Sequence, residues 1–271
     1  MLQTLNETAA WLRPHISQET KVGIILGSGL GALVDCITEK KEVPYENIPH
    51  FPVSTVEGHS GKLIIGKLGG KPVMALQGRF HFYEGYDMKQ VTYPVRVMQA
   101  LGFEYLFVSN AAGGMNGSFK VGDIMLIEDH INLFPEHPLR GKNDSELGTR
   151  FPDMSEAYDL NLRKLTAEIA EKNKIKLQFG IYVGTQGPTF ETPAEYHYFK
   201  IIGGDAVGMS TVPEVIVARH AGMKVLAFSV ITDLGVYGKI VEVSHEEVLQ
   251  AATIAQPKLA FLIEEVIKNL N

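Results

Sequence analysis

The densest group of side chains that could do chemistry lies at residues 77–86, where Arg79, His81 and Tyr83 occupy alternate positions. The planar guanidinium of arginine matches the oxygens of a phosphate group, and a histidine can add a hydrogen bond near neutral pH. The segment follows the apolar run 73–76, so we expect it to leave the end of a strand. It indicates either an anion site or a polar loop over a small aromatic cluster.

A glycine-rich turn, residues 27–32, follows the apolar run 22–26. Its glycines would let the backbone approach a phosphate closely, and Ser28 adds a hydroxyl donor. The turn also fits the dinucleotide pattern G-x-G-x-x-A, which needs a second apolar strand with an acidic residue about 20 residues further on. Residues 40–46 are polar and contain Pro44, so we do not expect that strand. A phosphate site and a plain tight turn both remain open.

Two further segments combine small residues with a place where a ligand could reach the backbone. His59 stands between glycines at 58–61, and the small residues 109–114, including Ala111, close the apolar run 105–108. Small residues at the carboxyl end of a strand allow a ligand to touch the main chain. Both segments are equally compatible with ordinary turns.

Three sequences have the pattern of a helix capping box, at residues 192–195, 211–214 and 244–247. Glu191 and Ser210 stand directly before the first two. Backbone N–H groups point outward at the start of a helix and favour an anion there. We therefore expect both side chains to lie at the mouths of helices.

The elements that must position these residues alternate between short apolar runs and helical patterns. We predict strands at 22–26, 63–68, 73–76, 105–109, 124–127, 180–183 and 225–230. This alternation is typical of an α/β sheet covered by helices. Pro257 interrupts the last helical pattern, so we expect it to kink or divide that helix.

Composition excludes several classes of protein. The chain has 271 residues and a net charge of −6, and it shows no basic run of the kind that nucleic-acid binders carry. No apolar run approaches the roughly 18 residues needed to span a membrane, and residues 1–10 lack the features of a signal peptide. The single cysteine, Cys36, suits a reducing compartment, so we expect a cytoplasmic protein. Motifs for metal binding or a serine nucleophile are not found in the sequence.

Taken together, the segments resemble the trimeric purine nucleoside phosphorylases. The matching segments are residues 25–31, 58–61, 77–86, 110–114, 187–192 and 208–214. Their order and spacing cover most of the chain. The resemblance implies an α/β fold in which residues 1–271 form a single domain with a mixed central sheet flanked by helices. It also implies a homotrimer that cleaves purine nucleosides with inorganic phosphate as co-substrate and without a cofactor.

The resemblance assigns one set of residues to the phosphate. By position these are Ser28, His59, Arg79, His81, the Ala111 backbone and Ser210.

A second set is assigned to the nucleoside. Glu191 resembles the purine anchor of the family. Phe190 and Met209 resemble the residues that pack on base and sugar, and Tyr83 and His245 resemble those that contact the ribose hydroxyls. The residues expected to act in catalysis are His81, Glu191 and Asp233.

Two positions depart from the family pattern. Members that cleave 6-oxopurines usually have asparagine where this chain has Asp233, and many place a phenylalanine of the neighbouring subunit over the sugar where this chain has Leu147. An ionised aspartate only accepts hydrogen bonds and would welcome a 6-amino group, whereas a protonated one could donate to the base. We therefore expect turnover of inosine and guanosine together with adenosine.

Other functions remain alternatives at this point. A phosphorylase that prefers 6-aminopurines would use the same residues, and a nucleosidase would replace phosphate by water. An NAD-dependent dehydrogenase would use the glycine-rich turn but lacks the second apolar strand that it needs, and a non-catalytic nucleoside-binding module would keep Glu191 without the phosphate-binding residues.

Overall fold

The computed structural model describes residues 1–53, 60–236 and 238–270. The strands in these ranges are β1 (Val22–Leu26), β2 (Thr38–Pro44), β3 (Lys62–Leu68), β4 (Lys71–Gln77), β5 (Tyr105–Gly114), β6 (Ile124–Asn132), β7 (Leu177–Gly184), β8 (Ala206–Gly208) and β9 (Lys224–Leu234). The α-helices are α1 (Leu2–Leu12), α2 (Met88–Val91), α3 (Tyr93–Leu101), α4 (Leu160–Lys172), α5 (Pro193–Ile201), α6 (Val212–His220) and α7 (His245–Lys268). None of these helices combines the length and the hydropathy needed to cross a bilayer.

One mixed sheet contains all of these strands, in the order β2-β3-β4-β1-β5-β8-β7-β6-β9. Strand β5 also pairs with β9, so β5, β8, β7, β6 and β9 close into a ring. Strands β4, β1, β5 and β9 are parallel neighbours, whereas β2–β3, β3–β4, β5–β8 and β6–β9 are antiparallel. The predicted α/β fold with a mixed central sheet is confirmed.

The sequence of β1 shows why the centre of the sheet forms. Every residue of this strand is buried. Ile25 packs into one hydrophobic core, and Ile24 and Leu26 pack into a second core on the opposite face. A strand covered on both faces reads as a continuous apolar run rather than an alternating one. The second core includes the apolar stripe of α7.

The polar segment after β1, which was not among the predicted strands, forms the strand β2. Its residues are mostly exposed, because β2 lies at the edge of the sheet, where charged side chains protect the free edge from pairing with another chain. A dinucleotide-binding fold needs the second strand parallel to β1. Here β2 is antiparallel to β3 and separated from β1 by β3 and β4, so the dinucleotide interpretation still fails.

Of the two outcomes expected at Pro257, a kink or a division of the helix, the division is wrong. Helix α7 runs without a break from His245 to Lys268 with Pro257 inside it. Val248 and Ala252, before the proline, are buried, as are Leu259 and Leu262 after it. Packing on both sides therefore offsets the hydrogen bond that the proline cannot donate.

Candidate active site

A cavity of about 300 Å³ opens at the edge of the sheet where the carboxyl ends of β4, β1, β5 and β9 meet. Parallel strands bring the loops that follow them to one edge, which is where α/β sheets bind ligands. The predicted site residues that line it are Ser28, Arg79, His81, Tyr83, Ala111, Phe190, Glu191, Met209, Ser210, Asp233 and His245. His59, also predicted, lies outside the described residues.

The backbone of β5 is accessible at this edge because its neighbour changes along its length. Strand β1 pairs with β5 only at residues 105–108, and β8 takes over at Gly113 and Gly114. Among the described residues, no strand pairs with that edge of β5 at residues 109–112. The segment therefore continues the strand, as opposed to forming the turn that was one of its two sequence interpretations, and it exposes main chain at Ala111.

Arg79 forms the charged end of the cavity. Its side chain is 2% exposed, and its Nε donates to Glu214 Oε1 at 3.0 Å. One terminal nitrogen donates to the Ser109 carbonyl at 2.9 Å and to Ser210 Oγ at 3.0 Å. These contacts fix the plane of the guanidinium. A fixed guanidinium fork beside a serine hydroxyl suits the oxygens of a phosphate group.

Glu214 was expected to close the capping box of α6, and this expectation is wrong. Thr211 has φ of 71° and makes no side-chain cap. Its Oγ1 accepts instead from Asn110 Nδ2 at 2.9 Å. Glu214 turns inward to pair with Arg79. A β-branched residue in this left-handed region is strained, and such strain is found where the surroundings hold the chain tightly.

His81 is held beside Arg79 by a short local network. Its Nδ1 lies 3.1 Å from Glu84 Oε1, and its backbone N–H donates to the same oxygen at 2.7 Å. The imidazole stacks on Tyr83 with ring centroids 4.6 Å apart. Burial lowers the pKa of His81, and the positive charge of Arg79 lowers it further. Burial also raises the pKa of Tyr83 to about 12, so that hydroxyl stays protonated at neutral pH.

The opposite end of the cavity contains Glu191, held at the start of α5. The capping box predicted at Thr192 is confirmed, since Thr192 Oγ1 accepts from the Glu195 N–H at 3.2 Å. Burial raises the pKa of Glu191 to about 7, and the neighbouring Asp233 raises it as well. Met209 packs against Gly187, where an added Cβ would lie 2.3 Å from its sulfur. Glu191 thus lines the cavity from a capped helix start, near the Met209 side chain.

Asp233 lies near the end of β9 and is 8% exposed. Tyr196 donates to its Oδ2 at 2.8 Å and Thr232 donates to its Oδ1 at 3.0 Å. A shift of register in the β5–β9 pairing places Asp233 opposite Gly113. Burial raises its pKa, and the two hydroxyl donors act in the opposite direction. Sequence patterns did not single out Tyr196 or the pairing of Glu214 with Arg79, because Tyr196 and Glu214 are not among the residues that line the cavity.

The remaining side of the cavity is formed by the first turn of α7. The capping box at Ser244 is confirmed, since its Oγ accepts from the Glu247 N–H at 3.2 Å. His245 follows it and lines the cavity, as does Val248. His245 is exposed, so its ring can move toward a ligand.

Leu147 lies elsewhere in its own chain. Its carbonyl accepts from Arg96 at 3.1 Å and from Gln99 at 3.0 Å, and it lines a separate cavity that also contains His220. It is not among the residues that line the cavity described above. Among the residues that the structure describes, no group of three or more His, Cys, Asp or Glu side chains could hold a metal ion.

Comparison with known proteins gives matches along almost the whole chain. Residues 21–268 match the family described as the Phosphorylase superfamily. Purine nucleoside phosphorylase 1 of Geobacillus stearothermophilus is 49% identical over 266 residues, which cover 98% of this chain and 97% of that protein.

Solved structures also match the fold of this chain over almost its whole length. A purine nucleoside phosphorylase of Schistosoma mansoni in complex with adenosine has a TM-score of 0.94 and 43% identity, covering 99% of this chain and 98% of that one. A structure of purine nucleoside phosphorylase from the same organism in complex with inosine has a TM-score of 0.93 and 42% identity, covering 99% and 97%.

Proposed function

This chain belongs to the phosphorylase superfamily, and from that membership we propose how it uses inorganic phosphate to split purine nucleosides into the free base and ribose 1-phosphate. The observation that carries the proposal is that one cavity has Arg79 and Ser210 among its lining residues together with two carboxylates, Glu191 and Asp233. Its volume of about 300 Å³ is at the lower limit of small-molecule sites.

The phosphate binds at the Arg79 end. Ser28, His81, Ser210 and the Ala111 backbone complete this site, together with His59 of the undescribed segment. The net charge of −6 would repel an anion, so local donors must hold it. In support of the assignment, Glu214 and the Ser109 carbonyl orient the Arg79 guanidinium.

The nucleoside binds between this site and the two carboxylates. A phosphate oxygen forms a bond to the anomeric carbon while the bond from that carbon to the purine nitrogen breaks. The electron pair of the broken bond moves onto the base, and the ribose passes through an oxocarbenium-like state, as in glycoside hydrolysis. His81 orients the phosphate, and Tyr83 and His245 contact the ribose hydroxyls.

The departing base is held by Glu191 and Asp233, with Phe190 and Met209 packing on base and sugar. Hydrogen bonds at this end stabilise the electron density that reaches the base. The substrates include inosine, guanosine and adenosine, since each of the two carboxyl groups can donate a hydrogen bond to the base when protonated and accept one when ionised. The Schistosoma structures, which hold adenosine in one case and inosine in the other, support this range by similarity alone.

The working unit is a homotrimer in the cytoplasm, with residues 1–271 forming one domain in each subunit. The continuous nine-stranded sheet and the family match over residues 21–268 support the single domain. Leu147 of a neighbouring subunit covers the sugar. Its position outside its own cavity is compatible with that role.

The test is to incubate the protein with inosine, with and without phosphate, and to identify the sugar product. We expect ribose 1-phosphate only when phosphate is present. Free ribose formed without phosphate would instead indicate a nucleosidase. Tight nucleoside binding without any turnover would indicate a binding module.

A further inference from the structure

Tyr196 lies directly behind the base end of the cavity. It is 4% exposed on α5, and its hydroxyl donates to Asp233 Oδ2 at 2.8 Å. Thr232 donates to the other carboxylate oxygen at 3.0 Å. Each oxygen of Asp233 thus receives a hydrogen bond from the protein. Both bonds favour the ionised carboxylate, which can only accept.

Two glycines make the space that this contact requires. A Cβ at Gly235 would lie 2.0 Å from the Tyr196 ring. A Cβ at Gly113 would lie 2.9 Å both from Asp233 Oδ2 and from the Tyr196 hydroxyl oxygen. Real Cβ contacts are not this short, so any larger residue would displace the tyrosine. The backbone on both sides of the Tyr196–Asp233 pair is therefore shaped around it.

Glu191 is the second carboxylate beside this pair. Its negative charge and that of Asp233 repel each other, and the Tyr196 hydroxyl interacts with both groups. Two carboxylates that interact in this way lose their protons as a pair, and one proton can be shared between them. Burial raises the pKa of Glu191, and the Tyr196 hydroxyl also acts on it, in the lowering direction. The hydrogen bonds of 2.8 Å from Tyr196 and 3.0 Å from Thr232 both end on Asp233, however, so Glu191 is the better place for that proton.

The resulting pattern has a matching ligand. With the proton on Glu191, that residue donates and Asp233 accepts. Adenine has a donor at its 6-amino group and an acceptor at N1, whereas hypoxanthine has an acceptor at O6 and a donor at N1. A protonated Glu191 beside an ionised Asp233 therefore fits adenine. A protonated Asp233 beside an ionised Glu191 fits hypoxanthine.

Resting on the proposed function, we propose that Tyr196 is a positioning residue that sets base choice. By donating to Asp233 it keeps that carboxylate an acceptor and leaves the shared proton on Glu191, so it favours 6-aminopurine nucleosides over 6-oxopurine nucleosides. The pocket still accepts inosine when the proton moves from Glu191 to Asp233. Without the Tyr196 hydroxyl, the arrangement with the proton on Asp233 becomes the preferred one.

The test uses Tyr196→Phe, which removes the hydroxyl and keeps the ring. We expect the adenosine-to-inosine ratio of kcat/KM to fall by about tenfold, the effect of one hydrogen bond to a charged group. Tyr198→Phe is the matched control, since Tyr198 lies on the same helix and is 51% exposed. Its ratio should equal that of the wild type.

Two further measurements separate positioning from a structural role. Asp233→Asn should itself shift the adenosine-to-inosine ratio toward inosine by at least about tenfold. In that background, Tyr196→Phe should change the ratio by less than about twofold, because the carboxylate charge that Tyr196 orients is gone.

The second measurement is the pH profile. The titratable groups that face Asp233 are Tyr196 and Glu191. Loss of the tyrosine hydroxyl makes Asp233 hold a proton more tightly, so adenosine activity should be lost from a higher pH as the solution is acidified.

An equal loss of activity on adenosine and inosine, with unchanged pH profiles, would show that Tyr196 only supports the fold, and the inference would be overturned. So would an equal change of the ratio in the wild-type and Asp233→Asn backgrounds. A wild-type protein without phosphate-dependent cleavage of any purine nucleoside would overturn the proposed function as well, which distinguishes the two failures.

Discussion

At the scale of single residues, Arg79 has two tasks. It faces the proposed phosphate site, and it also neutralises Glu214, whose side chain is 3% exposed. Replacing Arg79 by alanine would leave a buried charge without its partner, at a cost of about 3–5 kcal/mol in stability. A test of phosphate binding must therefore keep the positive charge.

Arg79→Lys meets that condition. Lysine can neutralise Glu214 but has no planar fork, so it cannot reproduce the directed hydrogen bonds of the guanidinium. We expect the KM for phosphate to rise on the order of tenfold, with a smaller change in the KM for inosine. Arg163→Lys is the control, because Arg163 pairs with Glu128 away from the cavity. An unchanged phosphate KM in folded Arg79→Lys would remove Arg79 from the phosphate site.

If Glu191 is the proposed purine anchor, the reaction should depend on pH in a direction that differs between substrates. Burial raises its pKa to about 7, so the ionised form exists mainly above that pH. Inosine needs the ionised form to accept from its N1–H, so kcat/KM for inosine should fall up to tenfold per pH unit below about pH 7. The adenosine-to-inosine ratio should rise over the same range.

Glu191→Gln is the companion variant, because glutamine keeps the shape and cannot titrate. It should lower inosine turnover strongly, leave the thermal midpoint of unfolding nearly unchanged and remove the dependence on pH near 7. Near-normal inosine turnover in this variant would place the purine anchor elsewhere.

Residues that line the cavity were easier to predict than residues that contact them from outside it. Arg79 and His81 are recognisable because their side chains suit an anion and their segment follows a strand. Tyr196 and Glu214 are ordinary members of helices, and only the packed structure shows that they orient groups in the cavity. A single sequence does not contain the distances that reveal such support.

At the scale of elements, the start of α5 connects stability with base binding. Thr192 caps the helix, and the next residue toward the cavity is Glu191. Thr192→Ala should cost about 1 kcal/mol in the free energy of unfolding and should also raise the KM for inosine. Ser244→Ala removes the corresponding cap of α7 and should cost a similar stability without altering the adenosine-to-inosine ratio. An unchanged KM for inosine in Thr192→Ala would show that the cap does not position Glu191.

The elements that prediction missed share a physical cause. Strand β2 is polar because it is an edge strand, and its sequence looks like a loop. Thr211 matches a capping box, but contacts with Asn110 and the pairing of Glu214 with Arg79 outweigh that local preference. Pro257 looks like a break, but burial on both sides of it keeps α7 continuous. In each case tertiary contacts override a correct reading of local propensity.

At the scale of the whole molecule, the proposed trimer predicts a mass near three times 29.9 kDa in solution. Phe151 is 86% exposed and follows the loop that contains Leu147, so this side of the chain offers apolar surface to a neighbour. Light scattering over a range of concentrations measures the mass. A monomer with full activity would contradict both the trimer and the shared site.

The closed ring of strands also determines which parts of the molecule open first. Strand β5 is enclosed by β1, β8 and β9, whereas β2 has a neighbour on one side only among the described strands. Amide hydrogens of β5 at residues 105–108 should therefore exchange with solvent deuterium only when the chain unfolds globally, and those of β2 should exchange through local fraying. The cavity-lining residues 110–113 continue directly from that slowly exchanging segment of β5. Binding of phosphate or nucleoside stabilises the folded state against global unfolding, so it should slow exchange at residues 105–108 and leave the local fraying of β2 unchanged.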